Sequence, residues 1–146
     1  MAHVRAQIRA WLAMNLTGSA EAGKNVYEQR TLPLSKQDVP ALIFSVQGER
    51  VTTIDLSSRQ QRIVTVRVTA VVKGDNATGS DTLDALGAFV EEKIAATPKL
   101  GGFVKYYEYL GSNFAFNSDG ERTLCMLSMD FALAVFTRRE DPETAI

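Results

Sequence analysis

The side chains that could do chemistry are few and widely spaced. His3 and Cys125 are the only histidine and the only cysteine. A single imidazole and a single thiol cannot supply the three or four ligands of a soft-metal site within one chain. They also leave no nucleophile–base pair in view, and one cysteine makes no intramolecular disulfide. Cys125 falls inside a strand pattern, so it reads as a small core residue. Asp75, Asn76 and Gly79 could hold a cation or a phosphate, but no Lys-Ser/Thr pair follows them as in a P-loop. Clusters of this composition are ordinarily turn chemistry. Asp81, Asp84, Glu91 and Glu92 recur at helical spacing, as a carboxylate-lined acid/base or metal site would. With no histidine or third ligand nearby in sequence, they read as a solvated helix face. No catalytic residue, metal ligand or cofactor site is expected, and the chain does not read as an enzyme.

Two further groups point to surfaces. Phe103, Tyr106, Tyr107, Tyr109, Phe114 and Phe116 fall within 14 residues. Stacking on single-stranded nucleic acid would need basic neighbours, and only Lys105 is present. A segment covering a sheet, or a protein interface, fits better. Arg67 and Asp130 are charges inside strand patterns, each on the less apolar face. They can pair across the sheet if their strands are neighbours, or face another subunit.

Composition narrows the partners. The chain has 146 residues, 45% of them hydrophobic and 23% charged, with a net charge of −1. That suits one globular domain. Sixteen basic residues are interleaved with 17 acidic ones, whereas tight DNA binding needs clustered Lys and Arg. No apolar run approaches the roughly 20 residues of a membrane-spanning helix. The first helix is amphipathic and no cleavage site follows it, so no signal peptide is expected.

The elements that would position these groups follow from periodicity. Val4, Ile8, Trp11, Leu12 and Leu16 make one face of a helix from His3 to Leu16, with Trp11 as a core anchor. Asn25 to Leu32 is a strand candidate, and Pro33 to Asp38 a loop. Pro40 to Gln47 is a strand, followed by a polar tip from Gly48 to Ser58. Arg59 to Lys73 alternates strictly, with Val64, Val66, Val68, Ala70 and Val72 on one face and Thr65, Arg67 and Thr69 on the other. About 15 extended residues span roughly 50 Å, longer than the roughly 40 Å diameter of a compact domain of this length. The strand therefore bends or projects. It pairs most simply with the preceding strand as an antiparallel hairpin. Val51, Ile54 and Leu56 at the tip would have little to pack on in a monomer. They form a subunit contact, unless the tip folds back over the sheet edge.

A second helix is predicted from Ser80 to Thr97, with Ser80 as N-cap and Asp81 and Asp84 in its first turn. Leu83, Leu86, Val90 and Ile94 form its buried stripe, and Pro98 ends it. After a turn at Asp119-Gly120, a second over-long strand runs from Glu121 to Arg138. The expected architecture is α+β, a mostly antiparallel sheet with long strands and a projecting hairpin, and two amphipathic helices packed on one face. Residues 1–138 form the domain and 139–146 a mobile tail.

In this order the chain resembles the tail terminator proteins of long-tailed, non-contractile bacteriophages, the family that includes the lambda terminator. Three stretches carry the resemblance. Asp38-Val39-Pro40-Ala41 leads into Leu42-Ile43-Phe44-Ser45-Val46-Gln47-Gly48. Ser80-Asp81-Thr82-Leu83-Asp84-Ala85-Leu86 is similar to the family's helix after the long strand, and Asp119-Gly120 precedes the closing strand. The resemblance implies a structural protein, assembled in the host bacterial cytoplasm and located in the virion tail. Members form a hexameric ring on the last ring of tail tube, stop its polymerisation and present the surface that the head connector joins. Implied partners are copies of the same chain, the tail tube protein and a head-completion or connector protein. DNA only passes through the lumen, and no membrane is involved. The family's helix-start acidic residue, in a region expected to influence ring assembly, matches Asp81, or Ser80 beside it. The candidate subunit-contact residues are therefore Glu49, Arg50, Val51, Ile54, Asp55, Leu56, Arg59, Arg67, Asp81 and Asp130. Another head–tail joining or tail-tube protein is the alternative within this class. A small α+β ligand-binding or regulatory domain is the alternative outside it.

Overall fold

Alternation, length and turn chemistry combine into one six-stranded sheet with helices on one face. The computed structural model describes residues 2–28, 39–74, 76–97, 99–119 and 122–146. The elements are α1 (Val4–Asn15), β1 (Val26–Glu28), β2 (Ala41–Thr53), β3 (Arg59–Lys73), α2 (Asn76–Ala96), β4 (Tyr106–Asp119), β5 (Arg122–Arg138) and β6 (Asp141–Ala145). The strand order is β1-β2-β3-β5-β4, with β6 beside the end of β5. All pairs are antiparallel except β1 with β2. The expected loop Pro33 to Asp38 and the residues Pro98 and Gly120 lie outside the described residues.

β3 is the strand the sequence makes plainest, and its burial alternates as its residues do. Val64, Val66, Val68, Ala70 and Val72 are at most 1% exposed. Together with Leu42 and Phe44 of β2, and Cys125, Leu127, Met129, Phe131, Leu133 and Val135 of β5, they form one apolar face. Both helices lie on that face. α1 contributes Val4, Ile8 and Leu12, with Trp11 packed at the margin, and α2 contributes Leu83, Leu86, Val90 and Ile94. The opposite face carries a smaller cluster around Ala41, Val71 and Leu124. Beyond it, that face is lined by residues such as Thr65, Arg67, Thr69, Ser128 and Asp130.

Three elements differ here from the sequence expectations. β2 does not stop at Gln47: it continues to Thr53 across a bulge between Val46 and Gly48, so most of the expected tip is ladder. A register-matched partner, Arg59 to Thr65, holds the polar residues extended although their own pattern is weak. α2 begins at Asn76, a turn before Ser80. Ser80 is therefore not its N-cap, and Asp81 and Asp84 lie beyond its first turn. Gly79 explains the shift. A Cβ there would lie 2.9 Å from Cys125 Sγ, so this glycine lets a helix approach the sheet closely rather than marking a turn. The aromatic segment is an edge strand, β4, with its own bulge between Tyr109 and Gly111.

The segment 139–146 is not a free tail. Thr137 pairs with Ala145 in β6, Ile146 N–H donates to Phe136 O at 2.8 Å, and Gln7 Nε2 donates to Glu143 O at 2.7 Å. Ala145 packs against the main core. Charges and a proline suggested solvation, but the sheet edge beyond the start of β4 offers β5 carbonyls and amides that this segment satisfies.

Candidate subunit-contact surfaces and a buried ion cluster

The hairpin end is where most candidate residues gather. β3 is paired with β5 along its whole length, from Arg59 opposite Arg138 to Lys73 opposite Leu124, so only residues 54–58 lie beyond the ladder. Asp55 organises them. Its Oδ1 accepts from Ser57 N at 2.9 Å, Ser57 Oγ at 2.8 Å and Arg59 N at 3.2 Å, and its Oδ2 accepts from Arg59 Nε at 2.6 Å. These bonds, with the Arg59 guanidinium first, hold the Asp55 carboxyl well below the usual carboxylate range. Ser58 is tied back to the chain: its carbonyl accepts from Arg139 N at 2.8 Å and its Oγ donates to Glu140 Oε2 at 3.1 Å. A tip held by its own turn presents Val51, Ile54 and Leu56 to solvent, 41%, 39% and 107% exposed. Arg50 is exposed beside them.

Arg67 and Asp130 are direct cross-strand partners. Arg67 Nε donates to Asp130 Oδ1 at 2.8 Å and a terminal nitrogen reaches Oδ2 at 3.3 Å. The carboxylate raises the Arg67 pKa. The two-pronged pairing on the helix-free face satisfies both charges within the chain. Asp81 is exposed on α2, across the sheet from this pair and apart from the hairpin end.

Glu49 is placed differently from its neighbours. Its parity puts it on the helix face opposite Val64. There its Oε1 accepts from Arg5 of α1 at 2.9 Å and from Arg62 of β3 at 3.3 Å. Arg62 is 8% exposed, and its Nε donates to Thr137 Oγ1 at 3.0 Å. Among the described residues this is a compact ion cluster joining α1, β2, β3 and β5. His3 caps α1 beside it, its Nδ1 accepting from Arg5 N at 3.1 Å. Burial, and then the Arg5 and Arg62 charges, push the His3 pKa below 6.5. The cluster was missed in the sequence although a signal was there: Arg62 shares the parity of Val64 and Val66, so it had to enter the valine face.

The aromatic segment divides in two. Tyr109 stacks on Phe131 with centroids 4.8 Å apart, and Tyr107 lies 6.5 Å from the same ring. Tyr106, Leu110, Phe114 and Phe116 are 51–57% exposed. The aromatics therefore do not converge on a pocket. An open groove of about 690 Å³ lies on the helix-free face between β2 and β4, lined by Arg50, Ile63, Thr65, Glu108 and Leu110 among others. Among the described residues no group of three His, Cys, Asp or Glu side chains could hold a metal ion. No helix of the described residues is long and apolar enough to cross a membrane.

The exposed apolar residues have a simple distribution. Of the eight large hydrophobic residues that are exposed among the described ones, only Met14 lies on a helix. Val51, Ile54 and Leu56 belong to the β2–β3 hairpin, and Tyr106, Leu110, Phe114 and Phe116 to β4. Leu110, Phe114 and Phe116 lie on the edge of the sheet away from β2, whereas Tyr106, whose hydroxyl accepts from Gln61 Nε2 of β3 at 2.8 Å, lies level with the hairpin end.

No family model and no curated protein matches the sequence. Among solved structures, a chain described as part of the virion of a native gene transfer agent particle has a similar fold, with a TM-score of 0.50 and 13% identity over 92% of each chain. At that identity the likeness is one of fold: this chain shares the architecture of a chain of that particle.

Proposed function

We propose that this chain is a structural subunit of a phage or prophage virion: a tail terminator, which forms a ring on the end of the tail tube, stops its polymerisation and provides the surface to which the head attaches. The observation that carries this reading is the placement of most exposed large hydrophobic residues among the described ones in two separate patches of one long-stranded sheet, Val51, Ile54 and Leu56 at the hairpin and Leu110, Phe114 and Phe116 on the far edge. Two different patches favour head-to-tail association, which closes into a ring when the rotation between copies is right. The likeness of fold to a chain of a virion particle and the family resemblance of the sequence support the same class. The reading gives the chain no catalytic role. Its partners are copies of itself, the tube protein below and a head-completion protein above, with DNA passing through a near-neutral lumen.

Mass photometry over a range of protein and salt concentrations tests the ring, and a monomer under every condition would overturn it. Polymerising purified tail tube protein with and without this chain tests the terminator role. Capped, shortened tubes are expected in electron micrographs. Unchanged tube lengths from a ring-forming chain would instead favour another head–tail joining or tube component.

A further inference from the structure

The geometry points to strand addition as the way one copy meets the next: the outer edge of β4 accepts the distal half of β2 from a second copy, making the sheet continuous between subunits. This rests on the ring reading and specifies the contact within it.

The first ground is the unpaired backbone. Among the described residues β4 ends the sheet and pairs only with β5. In an antiparallel ladder every second residue turns its N–H and C=O away from its partner, so about seven residues of this 14-residue strand offer an open row of donors and acceptors. Soluble proteins blunt such edges with lysine, proline, short length or a covering element. From Tyr109 to Ser118 the strand reads YLGSNFAFNS, without a charge or a proline. Residues 110–116 are exposed throughout, on both faces of the sheet.

The second ground is a matching edge on the same chain. β1 covers β2 only from Leu42 to Phe44. Beyond it, residues 47–53 have β3 on one side and no described strand on the other. All of them except Glu49 are exposed. Among the described residues, two uncovered stretches of seven residues therefore lie on opposite edges of one sheet.

The third ground is direction. β2, β3, β5 and β4 alternate in direction, so with four strands the first and last run opposite ways. The two stretches are not level within one copy: the ladders set Arg50 level with Ala134 but Asn113 level with Ser128, about 20 Å further along the strands. Ring closure through them needs an axis inclined to the strands by about 35–45°, the tilt of strands in closed barrels, and such a rotation keeps the sense in which neighbouring strands run. It therefore sets β4 of one copy antiparallel to β2 of the next, in the stronger pairing mode. A two-fold contact of β4 with β4 is the competing arrangement. It would cover Leu110, Phe114 and Phe116 but leave Val51, Ile54 and Leu56 in water, whereas head-to-tail addition covers both groups with one contact.

Disulfide trapping distinguishes these arrangements. Within one chain β2 and β4 are three strand spacings apart, about 14 Å along the sheet, beyond the roughly 7 Å Cα limit for a disulfide. Any bond between them is therefore intermolecular. Asn113 lies on the helix-free face opposite Ser128, and Gly48 and Arg50 lie on that face opposite Thr65 and Ile63. Asn113→Cys combined with Gly48→Cys, Arg50→Cys or Thr52→Cys should give, for at least one pair, a ladder of covalent multimers ending at the ring. Ser112→Cys, on the other face, should give none with the same partners. Native Cys125 is buried and serves as the background. Dimers from Asn113→Cys alone would show a β4–β4 contact and overturn the proposal. Rings of full mass with no trapped pair, and no gain in amide protection along β4, would also overturn it while leaving the ring intact. Protection of β4 only after tube protein is added would assign this edge to that partner instead. A folded monomer in all conditions would remove both the contact and the ring.

Discussion

Glu49 carries more of the fold than its exposed neighbours in β2, and Glu49→Gln measures how much. The substitution keeps the shape and removes the charge between Arg5 and Arg62. Arg5 is 41% exposed at its side chain, so water screens its loss and that pair contributes under about 1 kcal/mol. Arg62 is different: its side chain is 10% exposed, and without Glu49 it retains, among the described residues, only the Thr137 hydroxyl. Leaving one member of a fully buried pair alone costs about 3–5 kcal/mol. The 3.3 Å separation and the remaining hydrogen bond place this case lower, at about 2–3 kcal/mol. For a chain of this length that corresponds to roughly 4–12 °C in Tm. Glu49→Leu with Arg62→Leu removes both buried charges, and should cost less than either single change, because the buried pair also carries a desolvation cost. Urea midpoints, taken at a dilution where the protein is monomeric, give the values. A Glu49→Gln cost below about 0.5 kcal/mol, or strict additivity of the two leucine changes, would refute a coupled buried pair.

Gly79→Ala should destabilise the fold by about 1–3 kcal/mol through overpacking on Cys125, despite the gain of up to about 1 kcal/mol in helix propensity; Cys125→Ala in the same chain should restore most of the loss, and a failure to restore it would mean the helix shifts for another reason. Because the folded pKa of His3 lies below 6.5, the folded state binds fewer protons than the unfolded one. Its contribution is present above 6.5 and is lost as pH falls towards the folded value. His3→Asn keeps a cap acceptor, so thermal melts should show less pH dependence as pH falls below 6.5 than in the native chain; equal slopes would contradict this. A double-mutant cycle on Arg67 and Asp130 should give about 0.5–1 kcal/mol of coupling for a partly exposed cross-strand pair. Arg67→Asp with Asp130→Arg should then be more stable than either single change, and a swap no better than the singles would argue against an intrachain pair.

What could be read from the sequence follows from which patterns are local. β3 and β5 alternate in β-branched and apolar residues over so many positions that their faces followed from parity alone, whereas the Arg67–Asp130 pairing stayed one of two readings until the strands were seen to be neighbours. The buried stripes of both helices were equally plain. The start of α2 was not, because Asn76 and Gly79 favour turns locally and only the approach to Cys125 makes a glycine useful within a helix. β6 was hidden for a related reason. Its sequence, DPETA, has no strand signal, and it is placed by the end of β5 just before it and by Gln7 of α1, 136 residues away, which donates to the Glu143 carbonyl. Of the candidate contact residues, Val51, Ile54 and Leu56 are exposed together, whereas Glu49 is engaged within the chain. The exposed end of β4 was visible only as an aromatic cluster, because whether a strand is an edge depends on the order of strands in the sheet.

The association state tests the central claim most directly. Sedimentation velocity of the native chain beside Phe114→Lys, a charge placed on the bare end of β4 where it is exposed in the monomer, should show a single ring, expected to contain six chains, for the first. The second should be a monomer of unchanged thermal stability at matched dilution. A native chain that stays monomeric, or a Phe114→Lys ring indistinguishable from the native one, would contradict assembly through the edges of the sheet.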